Sequence, residues 1–362
     1  MVIPKKNDTI LIAMSGGVDS SVAAALLVEQ GYRVIGITMT TFCYTETNST
    51  GKTCCGLDGI VDARRVAGTL GIPHYVFDME EEFRRDVIDD FVTEYAAGRT
   101  PNPCVRCNSN TKIPDLLRRG RMLGAGLIST GHYARSEVTA TGSVRIRRGV
   151  DTKKDQSYFL WGVPEAVARH LRFPLGELTK PEVRERARSL GLVTADKPES
   201  QEICFVPTGD YTDILTRRLG ADHAALTPGR IVRTDGSVIG EHGGYARYTI
   251  GQRRGLGGGA RRPLYVLGVR PDAGEVVVGE EDELYDTAVE LGDLNWIGGS
   301  PSAGDRVEVQ IRHRASAVEA VVESHDDGRL ALRLLSPQRA VTPGQSGAVY
   351  RGDELLGGGR IR

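Results

Sequence analysis

Six residues near the start of this chain, Ser15-Gly16-Gly17-Val18-Asp19-Ser20, constrain its fold more than any others because of what flanks them. Thr9 to Met14 is a short apolar run of the kind that makes a buried strand, and Ser21 to Gln30 is a helical pattern stopped by Gly31. Strand, Gly-rich turn and helix in that order make a phosphate cradle. Two glycines let the backbone curl around an anion, and the helix start offers unpaired N–H groups and the positive end of its dipole. Ser15 and Ser20 add hydroxyl donors. The loop has neither the Gly-Lys-Ser/Thr of a Walker loop nor Gly-x-Gly-x-x-Gly spacing, so neither a P-loop NTPase nor a dinucleotide-binding motif is indicated. The plainer alternative, a Gly-rich turn with a Ser or Asp helix cap, does not account for all three elements falling in the required order.

Arg33 to Met39 is again strand-like and completes a βαβ unit. Asp62 to Leu70 repeats the helix pattern with Gly71 at its end and Pro73 beyond, and His74 to Asp78 is the next strand. The economical fold is α/β, a parallel sheet covered by helices, with ligands at the carboxyl ends of its strands. From about Gly209 short alternating runs take over between glycines and prolines: Arg230 to Val232, Tyr265 to Val269, Glu275 to Val278, Arg306 to Arg312, Ala317 to Val322 and Leu330 to Leu335. These read as antiparallel strands. Turn-rich stretches at Pro271 to Gly274 and Gly298 to Gly304 divide them, so the expected domains are residues 1–210, a small central domain 211–280 and a C-terminal antiparallel β-barrel 281–362.

At 362 residues the chain can support two or three cores. Its 46 Lys plus Arg against 47 Asp plus Glu do not advertise nucleic acid, so any RNA surface must come from local segregation of charge. Met1 to Met14 resembles neither a signal peptide nor a spanning segment, and no apolar stretch of about 18 residues occurs, so a cytoplasmic protein with no membrane partner is expected. There the six cysteines are reduced thiols, and chemistry or metal becomes the question.

Cys104 and Cys107 follow Pro101 and Pro103, which stiffen the approach, and their separation of three puts both sulfurs on one side of a turn or helix start. A zinc half-site is the alternative, but no second Cys-x-x-Cys or His pair follows at finger spacing, so no resident metal is expected. Cys204 lies after a polar approach, Pro198 to Glu202; its plainer reading is an inert buried thiol. No chemistry is expected of Cys43, Cys54 and Cys55 in their Thr-, Ser- and Gly-rich segment.

Ser-Gly-Gly-Val-Asp-Ser after a first strand resembles the pyrophosphate loop of enzymes that cleave ATP to AMP and pyrophosphate. Such enzymes adenylate an oxygen, a poor leaving group until it carries AMP. That loop joins Thr100 to Asn108, Ser129 to Ala134, Lys153 to Tyr158, Ser200 to Phe205, Tyr248 to Gly255 and Pro343 to Gln345. Together these segments resemble the tRNA-specific 2-thiouridylases over essentially the whole chain. The resemblance implies an N-terminal adenylating domain of the adenine nucleotide alpha hydrolase kind, a small central domain and a C-terminal β-barrel that helps hold tRNA. It places ATP, with Mg2+, against Ala13, Met14, Ser15, Gly16, Gly17, Val18, Asp19, Ser20, Met39 and Gly131. The target base lies near Asn102, Pro103 and Cys104; Lys154, Asp155, Gln156, Arg312 and His313 make other tRNA contacts; His132 and Gln345 are tRNA-contacting or accessory. Taken alone, Lys153-Lys154 and Arg312-His313-Arg314 are modest basic clusters suited to phosphate, though such a cluster by itself is more often a solvated face.

The chemistry implied is thiolation of the wobble uridine. A cysteine desulfurase or sulfur-relay protein loads Cys204 as a persulfide, ATP adenylates the uracil O2, sulfur reaches C2, and Cys107 releases it by forming a disulfide with Cys204. The base must be unstacked, which favours a single-stranded loop. Many members of the family have Asp where this chain has Cys104, which leaves an acid-base role there unfilled. Three cysteines in one pocket could instead hold an iron-sulfur cluster. Another AMP-forming ligase would leave Cys107 and Cys204 idle, and a non-catalytic cysteine-metal RNA-binding protein would leave the phosphate loop idle.

Overall fold

The computed structural model describes residues 8–41, 57–140, 142–199, 203–206, 209–256, 262–326 and 328–362. Cys43, Cys54, Cys55 and the Ser200-Gln201-Glu202 approach to Cys204 lie outside the described residues.

β1 (Thr9–Ala13) buries Ile10, Leu11 and Ile12 completely, as a strand covered on both faces requires. With β2 (Arg33–Thr40), β3 (His74–Asp78), β4 (Leu127–Ser129) and the short strand Leu171–Arg172 it forms a parallel sheet in the order β3-β2-β1-β4, with Leu171–Arg172 outermost. α1 (Val18–Glu29) is apolar nearly all round because it is sandwiched. Its Val22, Ala23, Ala24 and Leu27 join Ala63, Val66 and Ala67 of α2 (Leu57–Leu70) and Val183 and Ala187 of the helix Lys180–Ser189 in one cluster. The chain leaves β1 toward β2 and β3 and returns on the other side as β4, so the carboxyl end of β1 is the switch point where a crevice opens.

Between β3 and β4 runs a helical stretch that the apolar periodicity did not reveal. A helix Asp89–Ala96 is followed by a continuous helical path through Pro103–Arg106, Cys107–Lys112 and Ile113–Met122. The turns Arg84–Ile88 and Cys107–Lys112 are π-helical, a rare winding found frequently at functional sites.

The central strands are Gly229–Arg233, Val238–His242, Tyr265–Arg270 and Glu275–Gly279. The antiparallel expectation is corrected at one pairing: Glu275–Gly279 runs parallel to Gly229–Arg233. The long connection between them, itself carrying two strands, allows the crossover that parallel neighbours need. In the C-terminal sheet Tyr285–Trp296, Arg329–Arg339, Val318–Asp326, Arg306–Gln310, Ser346–Arg351 and Glu354–Ile361 follow one another antiparallel, and the first pairs with the last to close a barrel. A hairpin of Ala134–Val138 and Val144–Arg148, from the chain's first half, extends this sheet through Leu355 opposite Ile146. Among the described residues no helix is long and apolar enough to cross a membrane.

The barrel is tied to the helix Asp89–Ala96 by Arg360, whose guanidinium lies 2.8 Å from Asp90 and 2.7 Å from Glu94 and is 12% exposed. Asp90 also meets Arg106 at 3.3 Å, and Glu94 takes a second guanidinium from Arg99. Burial alone would raise the Glu94 carboxyl, but its hydrogen bond to Arg99 and the charges of Arg360 and Arg99 hold it below the ordinary carboxylate value. Arg360→Met leaves buried Glu94 with only Arg99 and half-buried Asp90 with only Arg106, so the loss is smaller than the about 3–5 kcal/mol of a buried carboxylate left with no partner. The expected result is a lower midpoint of denaturant unfolding at neutral pH. Because the folded value of Glu94 lies below its unfolded one, its contribution is complete above the usual carboxylate range and disappears as the pH falls through the folded value. The gap between variant and parent therefore narrows in acid; equal midpoints at neutral pH would remove Arg360 from the fold's supports.

Candidate active site

The Gly-rich loop lies where the sequence placed it, between β1 and α1 at the switch point. Gly16 has φ +70° and its Cα faces the backbone of Gly59 in α2, where a Cβ would come within 2.2 Å of the Gly59 carbonyl; any other residue would push the loop off α2. Ser20 Oγ accepts from the Ser15 amide at 3.2 Å and donates to the Gly17 carbonyl at 3.1 Å, closing the loop on itself. From β4 comes Gly131, whose missing Cβ would stand 2.8 Å from the Ser20 amide, so the two loops share one wall and no side chain fits between them. Met14 is buried, donating its amide to Ile37 and accepting from Thr38 Oγ1, and half-buried Met39 lies at the end of the adjacent β2. Ala13, Val18 and Asp19 complete the expected nucleotide set around the same strand end.

Three further groups brace the cradle, and the sequence analysis assigned none of them a role. Lys180 Nζ lies 2.7 Å from both carboxylate oxygens of Asp19, Tyr133 donates its hydroxyl to Asp19 at 2.7 Å, and Lys197 Nζ reaches the Gly16 carbonyl at 2.9 Å and Asp62 at 2.7 Å. Lys180 continues to Glu199 at 3.1 Å, and Glu199 to Lys154 at 2.7 Å, so an expected RNA-contacting lysine is wired to the phosphate loop. Burial and the neighbouring Asp19 raise the Tyr133 phenol far above its usual value, which keeps it a hydrogen-bond donor. A capping box, Thr179 with Glu182, marks the helix that presents Lys180 and was readable; nothing local marks Lys197.

The cysteine segment is built from the other side. Asn102 caps the helix by accepting the Val105 amide at 3.3 Å, Pro103 takes the first helical position, and Cys104 stands exposed in the first turn. Cys107, half-buried, begins the π-helical turn, in which Asn108 donates to the Phe159 carbonyl at 3.2 Å and accepts from Lys112 at 3.1 Å. Cys107 and Cys204 both pack against one apolar cluster that contains Phe83, Phe91 and Phe205. Two thiols from distant parts of the sequence thus contact the same apolar cluster. Among the described residues no three His, Cys, Asp or Glu side chains are grouped so as to hold a metal ion.

His132, next to Gly131, is buried with Nδ1 2.7 Å from Thr130 Oγ1. Burial, helped by the charge of Lys112, pushes its imidazole down to about 3, so it is neutral at working pH. The remaining expected contacts divide by how they spend their polar groups. Asp155 accepts from Gly149 N, Ser157 and Arg148, Gln156 accepts the Tyr133 amide at 3.0 Å, and Arg312 donates to the Ala340 carbonyl at 2.7 Å. His313 is exposed, its ring centroid 4.4 Å from that of Phe159. Gln345 donates to the carbonyls of Thr100 and Pro101 at 3.0 and 3.2 Å, so it holds the backbone just before the cysteine helix.

The family model described as the tRNA methyl transferase HUP domain matches residues 8–208, the tRNA methyl transferase PRC-barrel domain matches 218–280, and the aminomethyltransferase beta-barrel domain matches 286–361. The chain is 48% identical over 358 residues, covering 97% of both proteins, to the tRNA-specific 2-thiouridylase MnmA of Carboxydothermus hydrogenoformans. It is 49% identical over 365 residues to the protein of the same name from Geotalea uraniireducens, covering 100% of this chain and 96% of the relative. With half the residues shared from end to end, and with a phosphate cradle and a cysteine pair on the motifs that first suggested the likeness, the chain belongs to the tRNA-specific 2-thiouridylase family.

Proposed function

We propose that this chain is a tRNA-uridine 2-sulfurtransferase that uses ATP to replace the C2 oxygen of the wobble uridine with sulfur. The observation that carries this is that Cys107 and Cys204 pack against one apolar cluster in a chain that also holds a Gly-rich loop between β1 and α1. The family-model descriptions name methyl transfer, but that reaction gives neither the cradle nor the two thiols any work; the relatives' names match both.

The cradle suits a triphosphate, since the loop opens onto the start of α1 and Lys180 and Lys197 bring positive charge to its edge. Magnesium accompanying ATP would find its carboxylate in Asp19, exchanging for the ammonium of Lys180. The uracil O2 attacks the α-phosphorus, pyrophosphate leaves, and O2 carries AMP. A desulfurase or relay protein has meanwhile left Cys204 as a persulfide, whose terminal sulfur attacks C2 as AMP departs. The Cys107 thiolate then attacks the Cys204 sulfur; the S–S bond breaks toward the base, leaving C2 thiolated and a Cys107–Cys204 disulfide. His132, neutral throughout, serves as a hydrogen-bonding group and supplies no charge. The enzyme acts in the cytoplasm, where the reductant that resets the thiols is found.

Cys107→Ser and Cys204→Ser are each expected to abolish 2-thiouridine formation, read by nucleoside mass spectrometry after incubation with tRNA, ATP and a sulfur source, while tRNA-dependent pyrophosphate release persists. Thiolation by either variant would break the persulfide scheme. Lys180→Met, which removes the cation from Asp19, is expected to weaken ATP binding by about tenfold, the loss of one charge-assisted contact, with the far-ultraviolet spectrum unchanged. Unaltered ATP affinity would separate the Asp19–Lys180 pair from the nucleotide.

A further inference from the structure

The persulfide scheme ends with a disulfide in an awkward place. Cys107 and Cys204 are only partly exposed and lie against the Phe83, Phe91 and Phe205 cluster, and the segment leading to Cys107 is clamped by Gln345 of the barrel. A reducing protein must put its own thiolate in line with one of the two sulfurs, and access limits that attack. Cys104 is placed differently: it is exposed, one turn before Cys107 on the same helical path. Helix geometry sets Cα atoms three residues apart at about 5 Å, inside the roughly 4.4–6.8 Å over which a disulfide closes.

We propose, resting on the persulfide reading above, that Cys104 is a third redox thiol that resolves the Cys107–Cys204 disulfide and carries it to the surface for reduction by a protein dithiol. The Cys104 thiolate attacks the Cys107 sulfur, the Cys107–Cys204 bond breaks, and its electron pair leaves on Cys204, which is again a thiolate ready for loading. The new Cys104–Cys107 disulfide is reduced by a thioredoxin-class dithiol, which attacks the exposed Cys104 sulfur, becomes the oxidised partner and returns both thiols. Cys107 is the shared member of both pairs, so the sulfurs are needed two at a time.

The test is one turnover of persulfide-loaded enzyme with tRNA and ATP and no reductant, quenched in acid, alkylated and mapped by peptide mass spectrometry. Expected are thiolated tRNA, a Cys104–Cys107 disulfide and an alkylated Cys204. Thiolated tRNA with a Cys107–Cys204 disulfide and alkylated Cys104 overturns this proposal alone, whereas no thiolated tRNA takes the persulfide reading down with it. Steady-state turnover gives a second reading that does not depend on trapping. In Cys104→Ser the ratio of the rate with a thioredoxin-class protein to the rate with dithiothreitol should fall at least about tenfold, because the small reductant reaches the recessed disulfide and the protein does not. An unchanged ratio overturns the proposal.

Discussion

Arg360 reaches out of the last barrel strand into a pocket lined by Asp90 and Glu94, and the position of the cysteine helix depends on that contact. Asp90 pairs in turn with Arg106, the residue next to Cys107, and Glu94 with Arg99, at the start of the loop that leads to Cys104. Two carboxylates on one helix therefore hold three arginines, one from the barrel and two from the reactive segment. Desolvating such a network offsets much of its attraction, and its main gift is registry: an apolar contact could slide, whereas paired charges on three segments hold one another in place. Gln345 repeats the theme with hydrogen bonds, taking the Thr100 and Pro101 carbonyls, while the Thr100 amide donates to Pro343 at 2.9 Å. The barrel is thus a jig for a helix it does not contain.

The other half of the site is held by charge as well, but with a looser logic. Asp19 is fixed by Lys180 and Tyr133, and the string Lys154–Glu199–Lys180–Asp19 alternates in sign from the groove lined by Lys153, Arg184 and Arg188 to the phosphate loop. Adding a polyanion at either end shifts what the middle members prefer. Under the proposed function a triphosphate would compete with Asp19 for Lys180 and a phosphate backbone near Lys154 with Glu199, which would link the two ends through one buried ammonium.

The α/β half was legible because its strands are continuous apolar runs and its helices end at glycines; β1, β2 and β3 fall within a residue of where the pattern put them. The barrel strands were legible as alternation, but their partners were not. Nothing in Ala134–Val138 and Val144–Arg148 says that this hairpin pairs with Leu355, because register is a tertiary choice among similar edges. The parallel pairing of Glu275–Gly279 escaped notice for the same reason. At the site, Gly16 and the cysteines announced themselves by residue type, whereas Lys180, Lys197 and Arg360 are ordinary surface-type residues whose meaning comes only from what folds against them. The π-helical turn at Cys107 has no periodicity of its own to read.

A formal net charge of −1 looks unpromising for a protein that meets RNA, and the ion pairs explain how the two are reconciled. Many of the basic groups are already committed: Arg148 to Asp155, Arg135 to Asp353, Arg99 and Arg360 to Glu94, Lys197 to Asp62. Counting them as available charge overstates the field, just as counting their acidic partners overstates the repulsion. What reaches a polyanion is the residue of local imbalance, and that is set by position rather than composition. A surface of this kind gains little from counterion release over most of its area. Under the proposed function such a surface would recognise an RNA by its shape and by one unstacked base, and the rigidity that Arg360 and Gln345 impose on the cysteine helix would serve that fit.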